Sequence, residues 1–266
     1  MTTTPFAFNL DLTGRVAVVT GASRRQGIGA AICRGLATQG ADVLFTHWRG
    51  YDRTQPHGAD EDGPAALAAE LRDLGVRAEA FEVDLARLGA ATEVLDATAA
   101  RIGPPSILVN NAAHSTQEGY ETLDAASLDA HHAVNVRAMA LLAVAFARRY
   151  PGGPGGRIVN LSSGQHQDPM PGELAYAASK GAVEAFTRSL AAGVAPKGIT
   201  VNAVNPGPTD TGWMTDDLKR ALLPLIGLGR LGQPEDAARL IVFLASDAAG
   251  WITGQVIHSE GGFRRE

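Results

Sequence analysis

Three residues in the stretch from Ser163 to Lys180, SGQHQDPMPGELAYAASK, are of types that can act together on a carbonyl group. A serine stands thirteen positions before Tyr176, and Lys180 stands four after it. On a helix, positions i and i+4 share one face. A phenol with a pKa near 10 exchanges protons poorly at neutral pH. An ammonium held close favours the phenolate and lowers that pKa. A serine hydroxyl at the same point could hold a carbonyl oxygen while the tyrosine protonates it. Tyr-x3-Lys spacing recurs by chance in helices, so its weight depends on the elements around it.

Those elements must bring a hydride donor to the tyrosine. Val16–Thr20 (VAVVT) reads as a strand buried on both faces. It runs into Gly21-Ala-Ser23-Arg24-Arg25-Gln-Gly27-Ile28-Gly29 and then a helical stretch, 30–39. Strand, glycine-rich turn and helix form a dinucleotide-binding entry, with backbone N–H groups and the helix dipole available to a pyrophosphate. A second strand, 42–46, ends Thr46-His47-Trp48-Arg49 without the carboxylate that would bind a ribose 2′-hydroxyl. Arg24, Arg25 and Arg49 suit a 2′-phosphate, so the reading favours NADP(H) over NAD(H). Residues 50–64 read as a long polar loop shielding the adenosine end.

Further strands are expected at 77–83, 107–109, 157–161, 200–204 and 255–257, with helical patterns at 64–74, 85–102, 123–150, 176–195 and 234–244. Asp84 and Leu85 follow the third strand, where Asp84 could bond an adenine or cap the next helix. Asn110, Asn111 and Ala112 follow the fourth, and Ser162 and Ser163 the fifth. After the sixth comes Asn205-Pro206-Gly207-Pro-Thr209-Asp-Thr211, a rigid turn that could hold a carboxamide. Asn135 is a polar residue within the long helical pattern. Val136, Ala140, Ala143 and Ala147 give that pattern a smooth face suited to close packing, including with another subunit. Gln165, His166, Met170, Trp213 and Met214 offer mixed contacts to a substrate beside Ser163 and Tyr176.

The expected architecture is one α/β domain over residues 1–266: a Rossmann-type, doubly wound sheet of about seven parallel strands with helices on both faces. The length suits one well-buried domain. Net charge of −5 gives no reason to expect nucleic-acid binding. One cysteine, Cys33, cannot form an internal disulfide and fits a reducing compartment. Residues 1–14 lack signal-peptide features, and no unbroken apolar run approaches 18 residues. A cytoplasmic protein without membrane contact is expected, and no His, Cys or Asp spacing suggests a metal.

In this order the residues resemble the short-chain dehydrogenases/reductases over nearly the whole chain. The resemblance rests on Thr20-Gly21 through Gly27-Ile28-Gly29, Asp84, Asn110-Asn111-Ala112, Asn135, Ser163, Tyr176-x3-Lys180, and Pro206-Gly207 with Thr211. The branch it looks most like is the 3-oxoacyl-(acyl carrier protein) reductases and related carbonyl reductases. The resemblance implies Tyr176 as general acid/base, Lys180 on the nicotinamide ribose, Ser163 orienting the substrate oxygen and Asn135 anchoring a water. It also implies a homo-oligomer, a tetramer or dimer, acting on a small carbonyl or alcohol. Two departures stand out: five residues separate Gly21 from Gly27 where the family commonly has three, and Ala113 replaces a usual glycine. The Tyr-to-Lys spacing is narrower than that of enoyl reductases, which favours carbonyl chemistry. The alternatives are an NAD-dependent alcohol dehydrogenase, a dehydratase or epimerase with tightly held cofactor, and a non-catalytic cofactor sensor.

Overall fold

A computed structural model of the chain describes residues 9–55 and 58–265. The first eight residues of the amino-terminal stretch, and two of the polar loop, therefore lie outside the described residues. Seven parallel strands form one sheet in the order β3-β2-β1-β4-β5-β6-β7. They are β1 Val16–Val19, β2 Asp42–His47, β3 Ala78–Glu82, β4 Ile107–Asn110, β5 Gly156–Leu161, β6 Ile199–Asn205 and β7 Val256–His258. Each lies within one residue of its expected bounds. Helices α1 Ile28–Thr38, α2 Arg49–Asp52, α3 Gly63–Asp73, α4 Ala90–Arg101, α5 Ala125–His131, α6 Met139–Arg149, α7 Leu174–Val194, α8 Asp216–Leu222 and α9 Pro234–Ala245 surround it.

Strand β1 shows why the sheet is buried on both sides. Ala17 and Val19 pack into one core with Ile32 and Leu36 of α1 and Ile241 of α9. Val16 and Val18 pack into the other with Leu95 of α4, Leu142 and Phe146 of α6, and Ile158. Alternate residues of one short apolar strand thus supply both layers. The order reverses between β1 and β4, and their carboxyl ends open the crevice where ligands bind in such sheets.

Four helical readings are corrected. The expected 85–102 helix starts only at Ala90, because Asp84 accepts the Ala86 N–H at 2.8 Å and Gly89 takes a left-handed φ of 87°. The 123–150 pattern is interrupted by a π-helical segment, His132–Ala138, between α5 and α6. The polar loop opens with a turn of helix, α2. Residues 213–226, whose apolar run with charged punctuation suggests a helix-loop or an amphipathic surface helix, are α-helical only over Asp216–Leu222, capped by Thr215. The small-residue face is not one surface: Ala143 and Ala147 are buried in this chain's own core, and Val136 and Ala140 are partly exposed. The helical run Ala125–Arg149 is long and apolar enough to cross a bilayer, but half of it is buried inside the fold, as in a core helix.

Gly21 marks where the backbone must come closest. Its φ is +75°, and a Cβ there would lie 2.6 Å from the Ala112 Cα. Gly21→Ala should therefore cost about 2–4 kcal/mol, from strain plus a backbone clash. Chemical denaturation of the variant measures this; wild-type stability would contradict the close approach.

Candidate active site

The strand ends converge on a groove of about 620 Å³. Its walls include Gly21, Ser23, Arg24, Gly27, Ile28, Asp84, Leu85, Asn111, Ala112 and Thr211, ten of the residues expected to bind cofactor. The groove fits a dinucleotide on local grounds. Helix α1 begins after Gly27 with no side-chain cap and no acidic residue in its first turn, so its N-terminal field is left uncompensated. Gly29 cannot carry a side chain, since a Cβ would sit 2.5 Å from the Gly21 carbonyl oxygen. Asn111 Nδ2 donates to the carbonyls of Thr20 and Gly21 at 2.9 Å each, fixing the loop across the β1–β4 gap. On the other side of β4, Asn110 Nδ2 donates to Asn160 Oδ1 at 2.9 Å, tying β4 to β5.

The three arginines separate. Arg24 is on the groove wall, and its guanidinium donates to the Thr211 carbonyl and Oγ1 at 3.1 Å each. Burial lowers its pKa, and the nearby Asp52 charge opposes that shift. Arg25 is exposed and lines a second cleft, of about 370 Å³, with Arg34 and Lys219. Arg49 is paired with Glu82 and Glu61. Neither Arg25 nor Arg49 is brought to the groove. Pro206, Gly207 and Thr209, also expected at the cofactor, are not among the residues that line the groove; Thr209 Oγ1 donates to the Pro206 and Gly207 carbonyls at 3.2 Å.

Other wall residues escaped the sequence reading: His47, Trp48, Tyr51, Asp52 and Gln55. The one available signal was the unusual length of the polar loop after β2. Ser115 N–H donates to the Tyr51 hydroxyl at 3.1 Å, which carries α2 across to the β4 exit. The His47 Nδ1 is buried without a hydrogen-bond partner among the described residues.

Tyr176 and Lys180 lie on the first turns of α7, with the Lys180 Nζ 5.5 Å from the centre of the Tyr176 ring. Lys180 is buried and donates to the Leu161 carbonyl at 2.7 Å. Burial brings its pKa down to about 8. Burial moves the Tyr176 phenol the other way, upward, with the Glu173 charge adding to the rise and a hydrogen bond with Ser163 opposing it. The expected lowering by lysine is therefore not what this chain produces by itself: desolvation outweighs the attraction. Burial thus favours the neutral form of both side chains, the phenol and the amine.

Asn135 sits in the π-helical segment, 2 % exposed. Its Nδ2 donates to the His114 carbonyl and to Ser179 Oγ at 2.9 Å each, and its Oδ1 accepts the His114 N–H at 2.7 Å. It thereby clamps the β4 exit to α7. His131 packs edge-on to Tyr176, with centroids 6.4 Å apart. Its Nδ1 lies 2.9 Å from the Ser127 carbonyl and its Nε2 accepts the Thr116 N–H at 3.3 Å, so both nitrogens are occupied and it carries no proton to the tyrosine.

On the substrate side, Met170 Sδ lies 3.9 Å from Ser163 Oγ. Gln165 and His166 both turn to Glu184 of α7. Trp213 is 53 % exposed, with its Nε1 donating to the Thr209 carbonyl at 3.1 Å, while Met214 is buried. No group of three or more potential metal ligands occurs among the described residues.

Known proteins are similar to this one over nearly the whole chain. The family model described as Enoyl-(Acyl carrier protein) reductase matches residues 21–264. An uncharacterized oxidoreductase of Bacillus subtilis, YjdA, is 53 % identical over 253 residues, spanning 94 % of this chain and 97 % of that one. The 3-oxoacyl-[acyl-carrier-protein] reductase FabG of Pseudomonas aeruginosa is 36 % identical over 258 residues, spanning 95 % and 98 %. The structure of a short-chain dehydrogenase/reductase from Serratia marcescens superposes with a TM-score of 0.85 at 36 % identity, spanning 96 % and 99 %. On these matches the chain belongs to the short-chain dehydrogenases/reductases and is an oxidoreductase of that family, related to the 3-oxoacyl-(acyl carrier protein) reductases.

Proposed function

We propose that this protein reduces a ketone or aldehyde to an alcohol with NADP(H), at a site made of Ser163, Tyr176 and Lys180 with Asn135 behind them. The observation that carries the reading is geometric: Tyr176 and Lys180 share one face of α7, with the Lys180 Nζ 5.5 Å from the centre of the Tyr176 ring and bonded to the Leu161 carbonyl at the β5 exit, two residues before Ser163. A nicotinamide bound in the groove supplies or accepts the hydride. Tyr176 gives its proton to the carbonyl oxygen as charge develops there, and Ser163 Oγ stabilises that charge. Lys180, held to the Leu161 carbonyl, keeps a positive charge beside the phenol while the proton leaves. The four-residue Tyr–Lys spacing favours C=O over C=C reduction, and a 3-oxoacyl thioester is one candidate carbonyl by likeness to the Pseudomonas reductase. The protein acts as a cytoplasmic homo-oligomer on a small molecule, without nucleic acid.

The preference for NADP(H) now rests on Arg24, supported by the lack of a carboxylate at the end of β2. Asp52 on the same wall favours the competing NAD(H) reading. Titration with NADPH and NADH, followed by nicotinamide fluorescence, decides between them. The expected result is tighter NADPH binding, with Arg24→Ala weakening NADPH by about tenfold or more and NADH by much less, as loss of a charge-assisted contact predicts. A preference for NADH, or an equal effect on both cofactors, would remove the 2′-phosphate role. A panel of ketones, aldehydes and 3-oxoacyl thioesters then tests the reaction class.

A further inference from the structure

Helix α7 carries a third polar residue on the face of Tyr176 and Lys180. Glu184 stands four positions past Lys180, continuing the same stripe. It is 5 % exposed. A buried carboxylate is costly unless donors converge on it. Three do, all on Oε1: Ser162 Oγ at 2.6 Å, Gln165 Nε2 at 3.1 Å and His166 Nδ1 at 3.0 Å. These donors flank Ser163 on the exit of β5. They do not belong to the helix or to the sheet ladder.

Successive turns of α7 thus grip the β5 exit. Lys180 holds the Leu161 carbonyl, and one turn on Glu184 holds the Ser162 hydroxyl. The loop is braced from the far side as well. The His166 ring lies 5.1 Å from that of His258, and His258 Nδ1 is 3.0 Å from Asn205 Nδ2. Asn205 also donates to Glu260 Oε2 at 2.9 Å, and Glu260 pairs with Arg265. Arg265 lies against Gly164, where a Cβ would come within 2.8 Å of its Nη2.

We propose that Glu184 is a positioning residue for Ser163: its carboxylate fixes the 162–166 loop so that the Ser163 hydroxyl and the Tyr176 phenol meet one oxygen atom. The proposal rests on the reading of Ser163 and Tyr176 as the reacting pair. A carboxylate that served only stability could be replaced by any group that restores folding. A positioning carboxylate can be replaced only by one that still accepts from Ser162.

The test compares Glu184→Gln, which keeps an acceptor oxygen, with Glu184→Ala, which does not. Amide hydrogen exchange of residues 162–168 is measured in the full protein with NADPH or NADH present, together with cofactor affinity and carbonyl reduction. In Glu184→Ala, exchange of the loop should rise by about tenfold or more, while the sheet and cofactor affinity stay as in the wild type. Its kcat should fall by about thirtyfold with little change in KM, because Ser163 acts mainly on the charge of the transition state. Glu184→Gln should stay within about threefold of wild type in all three measurements. Unchanged loop exchange in Glu184→Ala would overturn the proposal. So would equal damage in both variants spread over the whole sheet. The exchange result needs no turnover, so it scores Glu184 even if no carbonyl is reduced, which would instead count against the proposed reaction.

Discussion

Tyr176→Phe is expected to lower carbonyl reduction by about a thousandfold and to leave cofactor affinity within about twofold, the effect of deleting one positioned proton donor. The physical case is specific to this site. A phenol with a pKa near 10 carries its proton at pH 7, and the desolvation that raises the Tyr176 pKa further leaves it so. No other group replaces it. Ser163 has no acidic proton in this range, and both nitrogens of the neighbouring His131 are occupied. The ring keeps its packing in the variant, because only the hydroxyl is removed. Steady-state reduction and NADPH titration of the same preparation measure both effects. Retained turnover would exclude Tyr176 as the acid. Loss of cofactor binding would place the residue in the groove architecture instead.

Lys180→Met should have opposite effects on activity and stability. The side chain is 3 % exposed, and burial lowers its pKa from the 10.5 of an exposed lysine to about 8. The folded state therefore binds fewer protons than the unfolded state between those two values. Stability must rise with pH across that window and carry the full cost of burying the charge below it. The gap corresponds to about 3 kcal/mol as an upper limit. Methionine fills the volume without the charge, but also abandons the bond to the Leu161 carbonyl. A net gain of about 1–3 kcal/mol at pH 7 is expected, shrinking towards pH 10. Turnover should fall by about a hundredfold or more, since the charge beside the phenol is gone. Urea denaturation of both proteins at pH 7 and pH 10 gives the difference directly. A variant no more stable than wild type at pH 7 would mean that the amine is better solvated than its burial implies.

Local signals in the sequence were enough for the scaffold. The central strands are short, largely apolar runs rich in β-branched residues, while the edge strand β3 alternates apolar and charged residues. Such runs are legible because a parallel strand buried on both faces admits little else. The glycine-rich turn was legible for a similar reason: Gly21 and Gly29 occupy positions where a Cβ would strike backbone, so composition records geometry. Tyr176 and Lys180 were found because their relation is a fixed spacing within one helix. The same stripe extends to Glu184, which only the fold makes meaningful, since its three donors come from another element.

What the sequence could not decide were contacts between segments distant along the chain. Three arginines look alike near a glycine turn, yet Arg24 reaches Thr211 across 187 positions while Arg49 is claimed by Glu82. Their heads are flexible, and the nearest available acceptor in space determines where each one points. The helix from Ala125 to Arg149 has a helical period throughout, but its π-helical segment is set by what Asn135 must reach on His114 and Ser179. The direction of the tyrosine shift was also a tertiary matter: charge proximity can be read from spacing, whereas desolvation depends on everything packed around the ring. Sequence by itself thus determined the sheet, the glycine turn and the placing of Tyr176 and Lys180 on one helix face, because these depend on short-range sterics and helical periodicity. Tertiary packing alone decided which charges face the groove, which proton is held, and what fixes Ser163, because those depend on the solvent and partners that folding removes or supplies.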